Sequence, residues 1–180
     1  MNSKVIIFLI ANITVALART TKTSTSSANS FTTNLKNSMK TLGGVNCLVE
    51  SALEVENAAN GFADDIKACN VKQNEAISTI LDDCNLLKAL SKRVVEANDN
   101  VCENDEYNEK SDAKKTASSR CAQEVKTKMT YLYNFLQYSL KDVKQNTGNS
   151  CSDNAANDLL INLKYFPDAI ESCADTYKKK

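Results

Sequence analysis

Residues 47–69 read CLVESALEVENAANGFADDIKAC, and the spacing of their apolar members decides the fold class. Leu48, Ala52, Val55, Ala59, Phe62, Ile66 and Cys69 advance by alternating steps of four and three, the period of a helix that buries one stripe against neighbours. Asn60-Gly61 is a candidate break within it. The same period recurs downstream. Ile77, Ile80, Cys84, Leu87 and Val94 form a second seam, opening at Asn70 with Gln73 as a capping-box partner and fading at Asn98-Asp99-Asn100. A third helix is predicted from about Tyr107 to Val143, with Ala117, Cys121, Val125, Met129, Leu132, Leu136, Leu140 and Val143 on one face. Tyr131, Phe135 and Tyr138 lie beside that stripe and read as core rather than as a ligand cage. After Gly148 the last helix carries Cys151, Ala155, Leu159, Leu163, Phe166, Ile170 and Cys173, with Pro167 placed to kink it. The fold class is therefore all-α, an antiparallel helical bundle of three or four long helices stapled by disulfides. One long helix from Asn46 to Ala97 is the competing reading of the first two seams.

Working outward, the N-terminus sets the compartment. Lys4 precedes an apolar run from Val5 to Ile10, and Ala16-Leu17-Ala18 matches a signal-peptidase site, so residues 1–18 read as a signal peptide. A membrane anchor fits less well, because Asn12 and Thr14 interrupt a stretch shorter than the roughly 20 residues a span needs. Residues 19–44 read as a flexible Ser/Thr-rich leader, polar from Arg19 to Ser30, either O-glycosylated or simply disordered. Residues 45–177 form the helical, disulfide-linked domain. Twenty-two acidic and twenty-two basic residues cancel, and loss of Lys4 leaves the exported chain near minus one. Such a balance gives no electrostatic attraction to nucleic acid or to an anionic membrane. A secreted, extracellular product is expected.

All seven cysteines, Cys47, Cys69, Cys84, Cys102, Cys121, Cys151 and Cys173, follow the signal segment, which makes disulfides their default use. No two are close enough for the short ligand pair of a zinc site, so no metal is expected. A hairpin turning at Asn98 to Glu106 sets Cys84 opposite Cys121, leaving Cys102 as a free thiol or as the link of a disulfide-bonded dimer. Cys47 to Cys69 and Cys151 to Cys173 are equal intervals of twenty-two residues, about 33 Å of helix. Antiparallel first and last helices then allow Cys47–Cys173 and Cys69–Cys151. A single long helix over the first two seams changes that connectivity, and a bend near Gly61 allows Cys47–Cys69 instead.

The chain contains no histidine, which removes Ser-His-Asp and Cys-His catalysis and histidine-ligated metals. Asp64-Asp65 and Asp82-Asp83 are paired carboxylates, but neighbours on a helix diverge by about 100° rather than converging on a substrate. They read as solvated surface. Four glycines leave no phosphate-binding loop. No enzymatic activity and no cofactor are expected.

The block from Cys47-Leu48-Val49-Glu50 to Asp64-Asp65-Ile66-Lys67-Ala68-Cys69 resembles the opening of the TsetseEP domain family of insect secreted proteins. Cys84, Cys102 and Cys121 look like its central cysteines, and Cys151 through Tyr165 to Cys173 looks like its closing block. The likeness covers roughly residues 45–175; the Glu-Pro repeat tail of that family is missing, as the chain has one proline. The resemblance implies a secreted, non-enzymatic protein of gut, immune or reproductive fluid. The expected function is binding of an extracellular protein, glycan or microbial surface. A carrier of small apolar ligands within the bundle and an inhibitor of a secreted enzyme are the alternatives.

Overall fold

The computed structural model describes residues 28–144 and 147–177 and shows an all-helical chain. Its helices are α1 (Ala28–Ser38), α2 (Leu42–Cys69), α3 (Glu75–Val101), α4 (Glu109–Asp112), α5 (Ser119–Asp142) and α6 (Ser150–Thr176). Among the described residues there is no strand, only an isolated antiparallel bridge between Thr41 and Thr116. The expected signal segment, residues 1–18, lies outside the described residues.

Local chemistry sets the boundaries. Thr41 opens α2 by accepting the Gly44 N–H at 3.1 Å, and Ser118 opens α5 by accepting that of Cys121 at 3.1 Å, both satisfying donors that a helix start leaves orphaned. Asn70 ends α2 in the left-handed conformation at φ 49°, which asparagine tolerates better than most residues. Asn74 then caps α3 by accepting the Ile77 N–H at 3.0 Å. The first two seams are thus two helices, and the cap is Asn74 rather than the Asn70–Gln73 pair. Gly61 does not break α2, and α6 continues through Pro167.

α2 packs against both α3 and α6, and α3 packs against α5. The apolar seams meet inside, where Leu48, Ile80, Leu87, Leu132, Leu136 and Leu163 are fully buried. α5 and α6 touch only slightly, and α1 lies against α6 and α2 with its Phe31 reaching α5. Phe31 stacks on Tyr133 of α5 with ring centroids 3.8 Å apart and sits 6.4 Å from Phe166 of α6. This corrects the flexible leader: residues 28–44 are helix and cap, and Phe31, Leu35 and Met39 belong to the core. Their spacing of four carries one side chain per turn to the same face, enough to bury an otherwise polar segment.

The α1–α2 junction leaves no room for side chains. A Cβ on Gly44 would run into the backbone carbonyl of Ser38, and one on Gly43 would meet the Tyr177 ring and the Ala113 carbonyl oxygen. The same stretch is stitched to the α4–α5 connection by Leu42 N–H to Lys115 O at 2.8 Å and Gly43 N–H to Ala113 O at 3.3 Å.

Candidate functional site

The cysteines define the frame. Cys47 is bonded to Cys173 and Cys69 to Cys151, with Cα separations of 5.7 and 5.8 Å, so α2 and α6 are tied at both ends. These are the partners that the equal intervals allow for antiparallel helices. The inner pair differs from expectation. Cys102 is bonded to Cys121, not left free, and Cys84 is the unpaired thiol, buried within the core. The reason is the position of the hairpin: α3 runs on to Val101 and α5 begins only at Ser119. The centre of the turn therefore falls near Ser111 and Asp112, and Cys84 comes level with the region of Ser139 instead of Cys121. A covalent dimer through Cys102 loses its thiol to this bridge. Burial, the largest effect, pushes the Cys84 thiol up to about 12; Lys88 opposes this weakly and Asp83 adds to it. A thiol so placed is a poor nucleophile.

Asp82-Asp83 is not uniformly solvated surface. Asp82 is exposed, but Asp83 is only 8% exposed and enters the α3–α5 interface. Its Oδ2 and the Oγ atoms of Ser91 and Ser139 are buried outside hydrogen-bond geometry. Burial raises the Asp83 carboxyl above the usual carboxylate range; the nearby Ser139 hydroxyl partly offsets this, and Asp142 and Asp82 add to it. Asp64 stays at the surface beside Lys67, 3.1 Å away, where such pairs contribute little. Among the described residues no three Cys, Asp or Glu side chains converge as a metal site.

At the end of the molecule near Cys69–Cys151, Asp153 accepts from Thr147 N–H at 2.8 Å and from its hydroxyl at 2.7 Å, while Asn74 Nδ2 donates to Thr147 O at 2.6 Å. The two Thr147 bonds hold the Asp153 carboxyl below its ordinary value. At the opposite end Tyr107 and Tyr177 both donate to the Glu109 carboxylate. Burial first, and that carboxylate next, raise both phenols. These clusters fasten loops to helices.

The aromatic stripe is not the core that its spacing predicts but lies largely at the surface. Tyr131 and Tyr138 are 61% and 56% exposed, Phe135 is half-buried, and Tyr133 takes the core position. Phe135 and Tyr138 lie 5.8 Å apart, and Tyr131 lines a hollow of about 50 Å³ with Leu90, Arg93 and Lys128. A shallow cleft of about 200 Å³ lies over the α2–α3 turn beside Ile66, Val71 and Leu81. No helix among the described residues is long and apolar enough to cross a membrane.

No protein-family model matches the chain, and neither a curated protein nor a solved structure matches it.

Proposed function

We propose that the protein acts outside the cell as a non-enzymatic binding protein of TsetseEP type, engaging a protein, glycan or microbial surface through a rigid antiparallel bundle of four long helices. The observation that carries this reading is the set of three bridges joining α2 to α6 at both ends and α3 to α5. Bridges of this kind persist in oxidising compartments, and they hold the exposed helix faces in fixed relation. The absence of histidine adds support, since it removes the commonest general acid–base group. A carrier of apolar ligands is the weaker reading: hollows of about 200 and 50 Å³ fall below the roughly 300–1,000 Å³ of small-molecule pockets. The expected inhibitor role lacks an identifiable anchor residue.

The test uses protein collected from the culture medium with its bridges intact, titrated against a glycan array and whole bacterial cells, alongside its mass under native conditions. Saturable binding by a ligand-free protein supports the proposal. A co-purifying lipid transfers support to the carrier reading, and failure of the protein to reach the medium refutes the extracellular role.

A further inference from the structure

α3 and α5 leave an apolar strip along the outside of their seam. Leu86, Tyr131 and Tyr138 are 43%, 61% and 56% exposed, and Leu90 and Phe135 lie half-buried with them. The two ends of the strip carry opposite charge. Arg93 and Lys128 flank Tyr131 at one end, where Lys128 also lies 3.8 Å from Glu124 of its own helix, which leaves Arg93 the principal cation. Asp82, Asp83 and Asp142 gather at the other, close enough for Asp82 and Asp142 to act electrostatically on Asp83.

The pattern also reads the same when inverted. On α5, Lys128 and Asp142 are centred on Phe135, and Tyr131 and Tyr138 flank that same residue. On α3, Arg93 and Asp82 are centred at residues 87–88, as are Leu86 and Leu90. The two centres are level, because the contacts of Leu90 and Arg93 with Tyr131 and Lys128, and the Cys102–Cys121 bridge, place Phe135 beside residues 86–88. A surface whose apolar and charged groups are arranged symmetrically about one line, with signs exchanged, is self-complementary across a two-fold axis.

We propose that a second copy of this chain docks on the strip about a two-fold axis lying in the interface, level with Phe135 and perpendicular to the helices. α3 then lies antiparallel on α3 and α5 antiparallel on α5. Arg93 of each copy meets the partner's Asp82, and Lys128 meets the partner's Asp142. An axis parallel to the helices sets carboxylates against carboxylates, and like charges across an interface are costly. The strip is about 21 Å long at 1.5 Å per residue and two helices wide, roughly 400 Å² per copy. That is about half of a standard interface, so the dimer is weak, reversible and salt-sensitive.

Sedimentation equilibrium of the oxidised protein tests this, from micromolar to near-millimolar concentration at low and high salt. Dimer is expected to accumulate with concentration and to dissociate as salt rises. Arg93→Asp and Asp82→Arg, both at exposed positions, are each expected to weaken association by about tenfold or more. Combined in one chain they are expected to restore it, since each new charge meets its opposite on the partner. Tyr131→Ala is expected to weaken it without altering the salt response. A monomer throughout, a dimer indifferent to the single reversals, a double variant that stays monomeric, or a dimer dissolved by reductant alone each overturns the proposal.

Discussion

Asp83 enters a helix interface with one carboxylate oxygen unpartnered, and the consequence is a definite sign of pH dependence. Its folded pKa lies above the unfolded value, with burial the first cause and Asp142 and Asp82 adding to it against Ser139. The stability it contributes is therefore complete below the unfolded pKa and is lost as pH rises through the folded one. Asp83→Asn removes the titration, so the thermal midpoint of the variant relative to wild type is expected to improve as pH rises above the ordinary aspartate value of about 4 and to level off once the folded carboxyl has ionised; a difference independent of pH contradicts the assignment. Asp153 acts oppositely, because its depressed pKa contributes stability that is lost as pH falls through the folded value. Cys84 gives a second residue-scale expectation. Thiol titration without reductant should find no reactive group in the native protein and one after denaturation, matching a single buried thiol beside three bridges. Neither Asp83 nor Tyr131 was legible in the sequence, because adjacency and stripe position tell which side of a helix a residue occupies but not which flank a neighbour covers. Tyr133, outside the expected stripe, is buried because α1 lies over it.

The glycines separate helix propensity from packing at the scale of elements. Gly61 is exposed inside α2, with nothing within 4 Å of the place a methyl group would take, so Gly61→Ala is expected to stabilise the protein by about 0.5–1 kcal/mol in chemical denaturation. Gly44→Ala meets the Ser38 backbone, and overpacking of that kind is expected to cost about 1–3 kcal/mol or more. The same denaturation experiment should thus move in opposite directions for two Gly→Ala changes in one helix. Phe31→Ala removes the ring that joins α1 to α5 and α6, with an expected loss of about 3–5 kcal/mol and faster amide exchange confined first to α1. Sequence periodicity located α2, α3 and α6 to within a turn or two, since each buries a long apolar stripe, but it began α5 at Tyr107, about three turns before its start at Ser119, because the short α4 and the loop after it stand in between. It missed α1, whose three core residues are diluted by Asn, Ser and Thr, and it closed the α3 hairpin too early. Asn98 reads as a breaker, yet it is buried in the helix and accepts from Asn104 Nδ2 at 3.0 Å; the chain leaves α3 one turn later.

For the whole molecule, the bridges close loops of very different length. Their sequence separations are 126 for Cys47–Cys173, 82 for Cys69–Cys151 and 19 for Cys102–Cys121. Loop-closure entropy then makes the first worth about 5 kcal/mol and the last about 3 kcal/mol. The order belongs to each bridge taken alone, because the three are nested; chains that retain a single bridge should therefore rank in stability with Cys47–Cys173 highest and Cys102–Cys121 lowest by equilibrium denaturation, and an inverted order argues against an entropic origin. The equal cysteine intervals allowed the long-range pairs because they measure matching lengths of helix, a quantity the sequence carries directly. The inner pair depended on where a loop turns, and loop geometry is set by tertiary stitching such as Leu42 to Lys115.

α1 and α2 both rest on α6, which ends at Thr176. As a ribosome delivers the chain from its N-terminus, α2 can pair early with α3, but α1 and the face that α2 turns to α6 stay uncovered until that helix is made. Condensation is thus a late event, led by contacts of large sequence separation that form slowly. A message interrupted before Ser150 yields a product that lacks not one helix alone but the cover of α1 and of one face of α2, and quality control should treat the loss of α6 as harshly as the loss of half the protein.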